Sequence, residues 1–288
     1  MISIGVIGNG FVGNAVANGF DPFLVDGAKV YDIDPKRRTH GLVGAINSDF
    51  VFVCLPTPMV DAEGGECNLS IIEEFFDTLN KDDLTGSNPV FIIKSTVPIG
   101  TTRKLQEKHT WLNIIHNPEF LTAANAEEDF LNADRTVLGG SCKESLSRVE
   151  ALYEEFFPET PIYTMTSDES ESVKYFANCF LATKVMFFNE MKMLSESLDV
   201  DFDKIGEAVT ADSRIANTHW KVPGPDGEYG FGGTCFPKDT NALIYTMEKY
   251  GINPIILKAV WEQNKKLRKN WDWATNKSAV AIKENNQQ

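Results

Sequence analysis

From Ser167 to Leu198 the chain runs for 32 residues without a glycine or a proline, "SDESESVKYFANCFLATKVMFFNEMKMLSESL". Ser167 or Asp168 can cap its start, and acidic residues fill the first turn. A helix of this length extends about 45 Å, too long for a crossover in an α/β unit. It therefore marks the start of a separate helical domain, and 288 residues are enough for two.

What precedes that helix has another character. "ISIGVIG", "AKVYDID", "DFVFVCLP", "PVFIIKSTVP", "NIIHNPEF", "RTVLGG" and "PIYTMT" read as strands. Between them lie helical patterns such as "LSIIEEFFDTL", "TTRKLQEKH" and "KESLSRVEALYEEFF". Strands apolar on both faces, alternating with helices, predict an α/β fold: a Rossmann-like, doubly wound parallel sheet over residues 1–166. The stretch from Asp32 to Phe50 is short, so this sheet is expected to be one element short there. Two more helical patterns, "DTNALIYTMEKYG" and "NPIILKAVWEQNKKLRKNW", complete an all-helical domain over 167–272. Residues 273–288 read as a polar, frayed tail.

The formal charge of −14 disfavours nucleic acid and anionic membranes as partners. No run has the roughly 18 to 20 apolar residues of a spanning helix, and the N-terminus lacks the basic start and cleavage site of a signal peptide. The five cysteines show no CxxC spacing and read as reduced thiols of a cytoplasmic protein. No metal-ligand pattern is present.

"GNGFVG" places Gly8, Gly10 and Gly13 between a strand and a helix. Gly8 permits a tight turn, Gly10 lets backbone approach a pyrophosphate, and Gly13 lets helix and strand pack closely. The helix N-terminus then supplies N–H groups and positive potential. Asp32, 19 residues beyond Gly13, stands where an acid would bind a ribose hydroxyl. That favours NAD, while Arg37 could hold a 2′-phosphate or stack on adenine. Thr57 and Thr96 end two strands, where ligands of open α/β sheets bind. Glu119 follows another strand and reads as a general base or a solvated loop acid.

Lys174 and Asn178 are one turn apart on the long helix. They read as a donor pair for an oxyanion, or as a lysine at a solvated edge. In "GFGGTCFPKD" a helix is expected to open near Pro237, with Cys235 at its mouth, Lys238 within a turn and Asp239 on the same face. That setting favours a thiolate nucleophile; the alternative is a buried structural cysteine. The glycines before it read as a flexible stretch that a ligand can approach.

Together, "GVIGNGFVG", "VCLPTP", "KSTVPIGTT", "NPEFL", "ADRTVLGG", "ESVKYFANCFLATKVMFFNE" and "GFGGTCFPKD" resemble, in order, the UDP-glucose/GDP-mannose 6-dehydrogenase family. The resemblance implies NAD as cofactor, with Gly8, Gly10, Phe11, Val12, Gly13, Asp32, Arg37, Thr57, Pro58 and Thr96 around it. It implies a four-electron oxidation of a sugar-nucleotide C6 alcohol to the carboxylate, with UDP-glucose as substrate. Cys235 would form a thiohemiacetal and then a thioester, Lys174 and Asn178 would stabilise the oxyanion, Asp239 and Thr96 would orient water, and Glu119 would act as base or position water. Phe120, Leu121, Phe231 and Gly232 would contact substrate, and Arg214 would reach it from the second subunit of a homodimer formed through the long helix. Three departures stand out. The sequence stops about where a C-terminal nucleotide-gripping domain would begin, as in a short form. Thr122 and Ala123 stand where many members carry an acid. The stretch "HWKVPGPDGEYGFGG" is longer than common. Two other readings of the same residues are a two-electron β-hydroxyacid-type dehydrogenase and a non-catalytic NAD-binding subunit.

Overall fold

The computed structural model describes residues 1–85, 88–122 and 124–281. The chain divides into two compact units: Met1–Thr57 with Leu69–Lys174, and Pro58–Asn68 with Tyr175–Gln288.

The first unit is built on a seven-stranded sheet. Its strands are β1 (Ile4–Ile7), β2 (Lys29–Tyr31), β3 (Phe50–Val53), β6 (Val90–Ile93), β7 (Asn113–His116), β8 (Thr136–Gly139) and β9 (Ile162–Met165), in the order β2-β1-β3-β6-β7-β8-β9. All neighbours are parallel except β7 and β8, which meet antiparallel at His116 and Gly139. Alternation along the strands assigns the two faces. Ile4, Val6, Phe50, Phe52, Val90 and Ile92 pack with α1 (Phe11–Phe20), α5 (Ala126–Leu131) and α6 (Lys143–Phe156). Val51, Val53, Phe91 and Ile93 pack with α2 (Leu42–Ile46), α3 (Ser70–Thr78) and α4 (Thr101–Lys108). The short α2 occupies the expected gap between β2 and β3, so that connection is abbreviated and not missing. Phe20 anchors the first face, fully buried among the rings of Phe52, Phe130, Tyr153, Phe156 and Phe157.

The long helix α7 spans Ser167–Ser197. Its first turns, to Lys174, belong to the first unit and the rest to the second. The second unit also holds α8 (Phe202–Thr210), α9 (Cys235–Lys249), α10 (Ile255–Leu267) and a 3-10 turn at Asp272–Thr275. It is not purely helical. A hairpin of β4 (Met59–Asp61) and β5 (Gly64–Cys67) belongs to it, although these residues sit inside the stretch expected to form the first domain. Trp273 Nε1 donates to Ala62 O at 3.1 Å, and Trp261 Nε1 donates to Glu63 O at 3.0 Å, clasping the hairpin.

The expectation of a frayed tail from 273 onward is corrected. Trp273 and Ala279 are fully buried, and Val280 pairs parallel with Met59. Met59 N donates to Ala279 O and Ala281 N donates to Met59 O, each at 2.7 Å. A short "AVA" inside a polar stretch, forming a turn and a single bridge, carries too little pattern to be read from sequence. Residues 282–288 lie outside the described residues.

Candidate functional site

In the first unit the turn after β1 has the form of an anion cradle. Gly8 has φ +88°, and a Cβ there would meet Cys54 O at 2.7 Å. Gly13 allows α1 to lie against that turn, since its Cβ would fall 1.9 Å from Gly8 O. Gly10 faces open space and caps α1 with no side-chain bond, and the first turn, with Phe11 exposed and Val12 half-buried, holds no acid. The positive end of α1 is thus left to a ligand. Asp32 is fixed beside it: Oδ2 accepts from Asn9 N at 2.7 Å and Oδ1 from Asp34 N at 2.8 Å. Arg37 is exposed, leans on Asp34 at 3.8 Å, and its carbonyl accepts from Asn9 Nδ2 at 2.6 Å. Thr57 is buried and donates its hydroxyl to Thr96 O at 2.7 Å, joining the ends of β3 and β6. Pro58 starts the hairpin segment of the second unit.

Glu119 and Lys174 form a buried ion pair. Lys174 Nζ donates to Glu119 Oε1 at 2.8 Å and to Glu119 O at 2.7 Å, and Glu119 Oε2 accepts from Leu121 N at 2.7 Å. Lys174 is 2% exposed, so it is not at a solvated edge, and Glu119 is not a solvated loop acid. Phe120 stacks under Arg135 at 4.1 Å, and Leu121 packs on the core. Thr122 is tied to Asp129, and Ala123 lies outside the described residues.

Sequence reasoning overlooked Lys94. It is 4% exposed, and Nζ donates to Asn117 Oδ1 at 3.0 Å, an oxygen that also accepts from Tyr153 OH at 2.6 Å. Burial, against the attraction of Cys54 and Glu119, lowers its pKa to about 8. Burial likewise raises the Cys54 thiol to about 12 and lowers His116 to about 3, leaving both neutral. The signal was in "FIIKS", a lysine directly continuing a fully buried strand.

In the second unit Cys235 is the first residue of α9, two positions earlier than expected, and is half-buried. Thr234 Oγ1 lies 3.6 Å from its sulfur. Behind it stands a buried network: Lys238 Nζ donates to Asp239 Oδ1 at 2.6 Å, and Asn178 Nδ2 donates to Asp239 Oδ2 at 2.6 Å. Asp239 is fully buried, and its carbonyl accepts from Cys179 Sγ at 3.5 Å. Burial alone would neutralise Lys238, but Asp239, Cys67 and Cys235 outweigh it and hold the ammonium well above its ordinary pKa. Lys174 and Asn178, read as one donor pair, thus each hold a different carboxylate.

The stretch before Cys235 departs from the expected flexibility. Gly230 N donates to Asn189 Oδ1, Phe231 N to Asn264 Oδ1 and Gly233 N to Asp272 Oδ2. Asn264 Nδ2 returns a bond to Phe231 O. Phe231 is itself a core residue, 4% exposed and stacked on Trp261. Its ring packs in the core and its N–H and carbonyl are both bonded to Asn264. Gly232 lies against Arg268, and its own backbone is all it presents. Arg214 is 88% exposed at its side chain and clamped to Asp212. Sequence reasoning also missed Asn264, buried on α10, and Arg268, which follows that helix; their partners Phe231 and Asp226 lie 33 and 42 positions away.

Among the described residues no group of acidic, histidine or cysteine side chains could hold a metal ion, and no helix is long and apolar enough to cross a membrane.

Comparison with known proteins agrees with this arrangement. Residues 36–157 match the NAD binding domain of the UDP-glucose/GDP-mannose dehydrogenase family, and residues 168–266 match its central domain. The chain is 32% identical over 264 residues to the UDP-glucose 6-dehydrogenase TuaD of Bacillus subtilis, covering 88% of this chain and 55% of that protein. With the UDP-glucose 6-dehydrogenase of Rickettsia typhi it shares 37% identity over 224 residues, 76% of this chain and 50% of the relative. The solved UDP-glucose dehydrogenase of Pyrobaculum islandicum superposes with a TM-score of 0.79 at 30% identity, over 92% of this chain and 68% of that one. The chain spans about half the length of the curated relatives it matches. With both of the matched family domains present in order, and NAD the cofactor of the first, the chain belongs to the UDP-glucose/GDP-mannose dehydrogenase family.

Proposed function

We propose that this protein oxidises the C6 alcohol of a sugar nucleotide, UDP-glucose, to the carboxylate in two NAD-dependent steps through a thioester on Cys235. The observation that carries the reading is the thiol at the first position of α9, backed by the buried Lys238–Asp239–Asn178 network. A helix start and a buried ammonium both favour negative charge on the sulfur.

The residues of the first unit fit NAD. The uncapped start of α1 and the open face of Gly10 suit a pyrophosphate, and Asp32 suits a ribose. Asn9 Oδ1 is buried without a partner in the same turn, an acceptor that a ribose hydroxyl would satisfy. Phe11, Val12, Thr57 and Thr96 would complete the set that holds NAD, and Pro58 and Arg37 are proposed with them, Arg37 for the adenine. When bound, NAD takes a hydride from C6 in each of two oxidations.

Glu119 accepts the alcohol proton in the first oxidation, and the adjacent Lys174 ammonium stabilises the oxygen as it becomes a carbonyl. The Cys235 sulfur then adds to the aldehyde carbon, and the carbonyl oxygen takes a proton, giving a thiohemiacetal. Its oxidation leaves a thioester. Water, positioned by Asp239 with Thr96, adds to the thioester carbon. The C–S bond breaks, releasing carboxylate and restoring the thiol. Asn178 and Lys174 serve the oxyanions of these steps. Arg214, exposed and paired with Asp212, serves a second subunit's substrate.

The assay is the count of NADH formed per UDP-glucose consumed by the chain alone. Two is the expected result. One would replace the reading with a two-electron dehydrogenase, and none, with NAD still bound, with a non-catalytic subunit. Cys235→Ala should abolish acid formation while leaving NAD affinity intact.

A further inference from the structure

We propose that Arg268 is a positioning residue for Cys235: it braces the backbone of Gly232 and, through Asp272, of Gly233, and so fixes where the thiol at the start of α9 stands. The inference rests on the reading of Cys235 as the nucleophile.

Arg268 follows α10 and is 4% exposed. Its Nη2 meets the carboxylate of Asp226 and lies 3.4 Å from Asp272 Oδ1, while Nε donates to Asn270 O at 3.1 Å. Asp272 in turn accepts from Gly233 N through Oδ2 at 2.9 Å. The guanidinium lies close against Gly232: a Cβ there would fall 2.2 Å from Nη2 and 2.4 Å from Cζ. Its Nη1 is buried with no hydrogen-bond partner. A buried arginine with an unmatched donor is a costly way to fill a core, and an apolar side chain of similar volume would commonly hold it as well or better. What the guanidinium adds is geometry. Nη2 sits between two carboxylates, hydrogen-bonded to Asp226 and ion-paired with Asp272, while the rigid planar group keeps that nitrogen in place. One of them, Asp226, belongs to the unusually long stretch from His219 to Gly233. The other holds the amide two residues before the thiol. Arg268 thereby couples the long loop to the backbone that delivers Cys235.

The test measures alkylation of Cys235 by iodoacetamide, site by site by mass spectrometry, from pH 6 to 10, with the part-exposed Cys142 as internal reference. Arg268→Ala, Arg268→Lys and Gly232→Ala are compared with the parent chain. In Arg268→Ala the Cys235 rate or its apparent pKa should change by about tenfold or about one unit relative to Cys142, with Arg268→Lys between it and the parent. Guanidinium ion added to Arg268→Ala should return the profile toward the parent's. If Arg268→Ala does not fold, Gly232→Ala, whose new methyl displaces the guanidinium, should give the same change. An unchanged Cys235 profile in folded Arg268→Ala or Gly232→Ala overturns the proposal. This readout needs no turnover. Should the parent chain form no NADH, the catalytic reading fails while the alkylation result still decides whether Arg268 places the sulfur.

Discussion

Lys174 and Glu119 bury opposite charges against each other, and removing one leaves the other stranded. Such a break costs about 3–5 kcal/mol, so Lys174→Met lowers stability as well as rate. Pairing it with Glu119→Gln separates the effects. The double variant should regain most of the stability in urea unfolding, while kcat stays down by about 10²- to 10³-fold, the loss expected of an oxyanion donor. Recovery of rate along with stability would make the pair structural. Lys94 gives a second residue-level test. Its folded pKa of about 8 lies below the unfolded value near 10.5. Its stabilising contribution is therefore complete above the unfolded value and lost as pH falls through 8. Between pH 8 and 10.5 the parent chain should gain up to about 3 kcal/mol over Lys94→Met, which lacks that titration. Parallel stability curves for the two proteins across this window would refute the assignment.

At the level of elements, α7 and α4 are joined by one buried carboxylate. Glu171 accepts from Gly100 N at 2.5 Å and from Thr102 N at 2.8 Å, capping α4 from another helix. Glu171→Ala strands those amides and should lower the unfolding free energy by about 1–3 kcal/mol in denaturant titration. A loss within the error of the measurement would mean that water or neighbouring groups satisfy them. Period and apolar runs made most elements of the first unit legible: Phe50–Val53 and Val90–Ile93 are buried at every position, as a central parallel strand must be. The same logic failed for Met59–Asp61 and Gly64–Cys67, short strands with one side chain in three or four buried. They are held by tryptophan indoles far along the chain, which no local pattern reveals. Among the candidate site residues, Gly8, Asp32 and Cys235 could be proposed from sequence because the spacing that singles them out is local. The tethers Asn189, Asn264 and Asp272 could not, because each acts on backbone 33 to 41 residues away.

For the molecule as a whole, the uncovered side of α7 bears on assembly. Phe176, Phe180, Phe187 and Leu194, with Leu198 in the turn just after the helix, recur at helical spacing and are each more than half exposed. A stripe of this kind on one helix suits a second copy of the same helix, and supports the proposed homodimer. Light scattering should give twice the mass of one chain, and Phe180→Asp with Leu194→Asp should halve it. A parent chain that stays at 32.1 kDa at high concentration would remove the dimer, and with it the part given to Arg214.

The pairing of Met59 with Val280, and of Ala62 with Trp273 across 211 positions, sets a schedule for the nascent chain. Emerging from the ribosome, residues 58–68 must wait, unclasped, until Trp261, Trp273 and Val280 have been translated. The folding of the second unit is therefore a late, non-local event, slow by the general relation between contact separation and rate. A ribosome stalled at residue 270 should expose that hairpin to protease, and one stalled beyond residue 280 and clear of the exit tunnel should not.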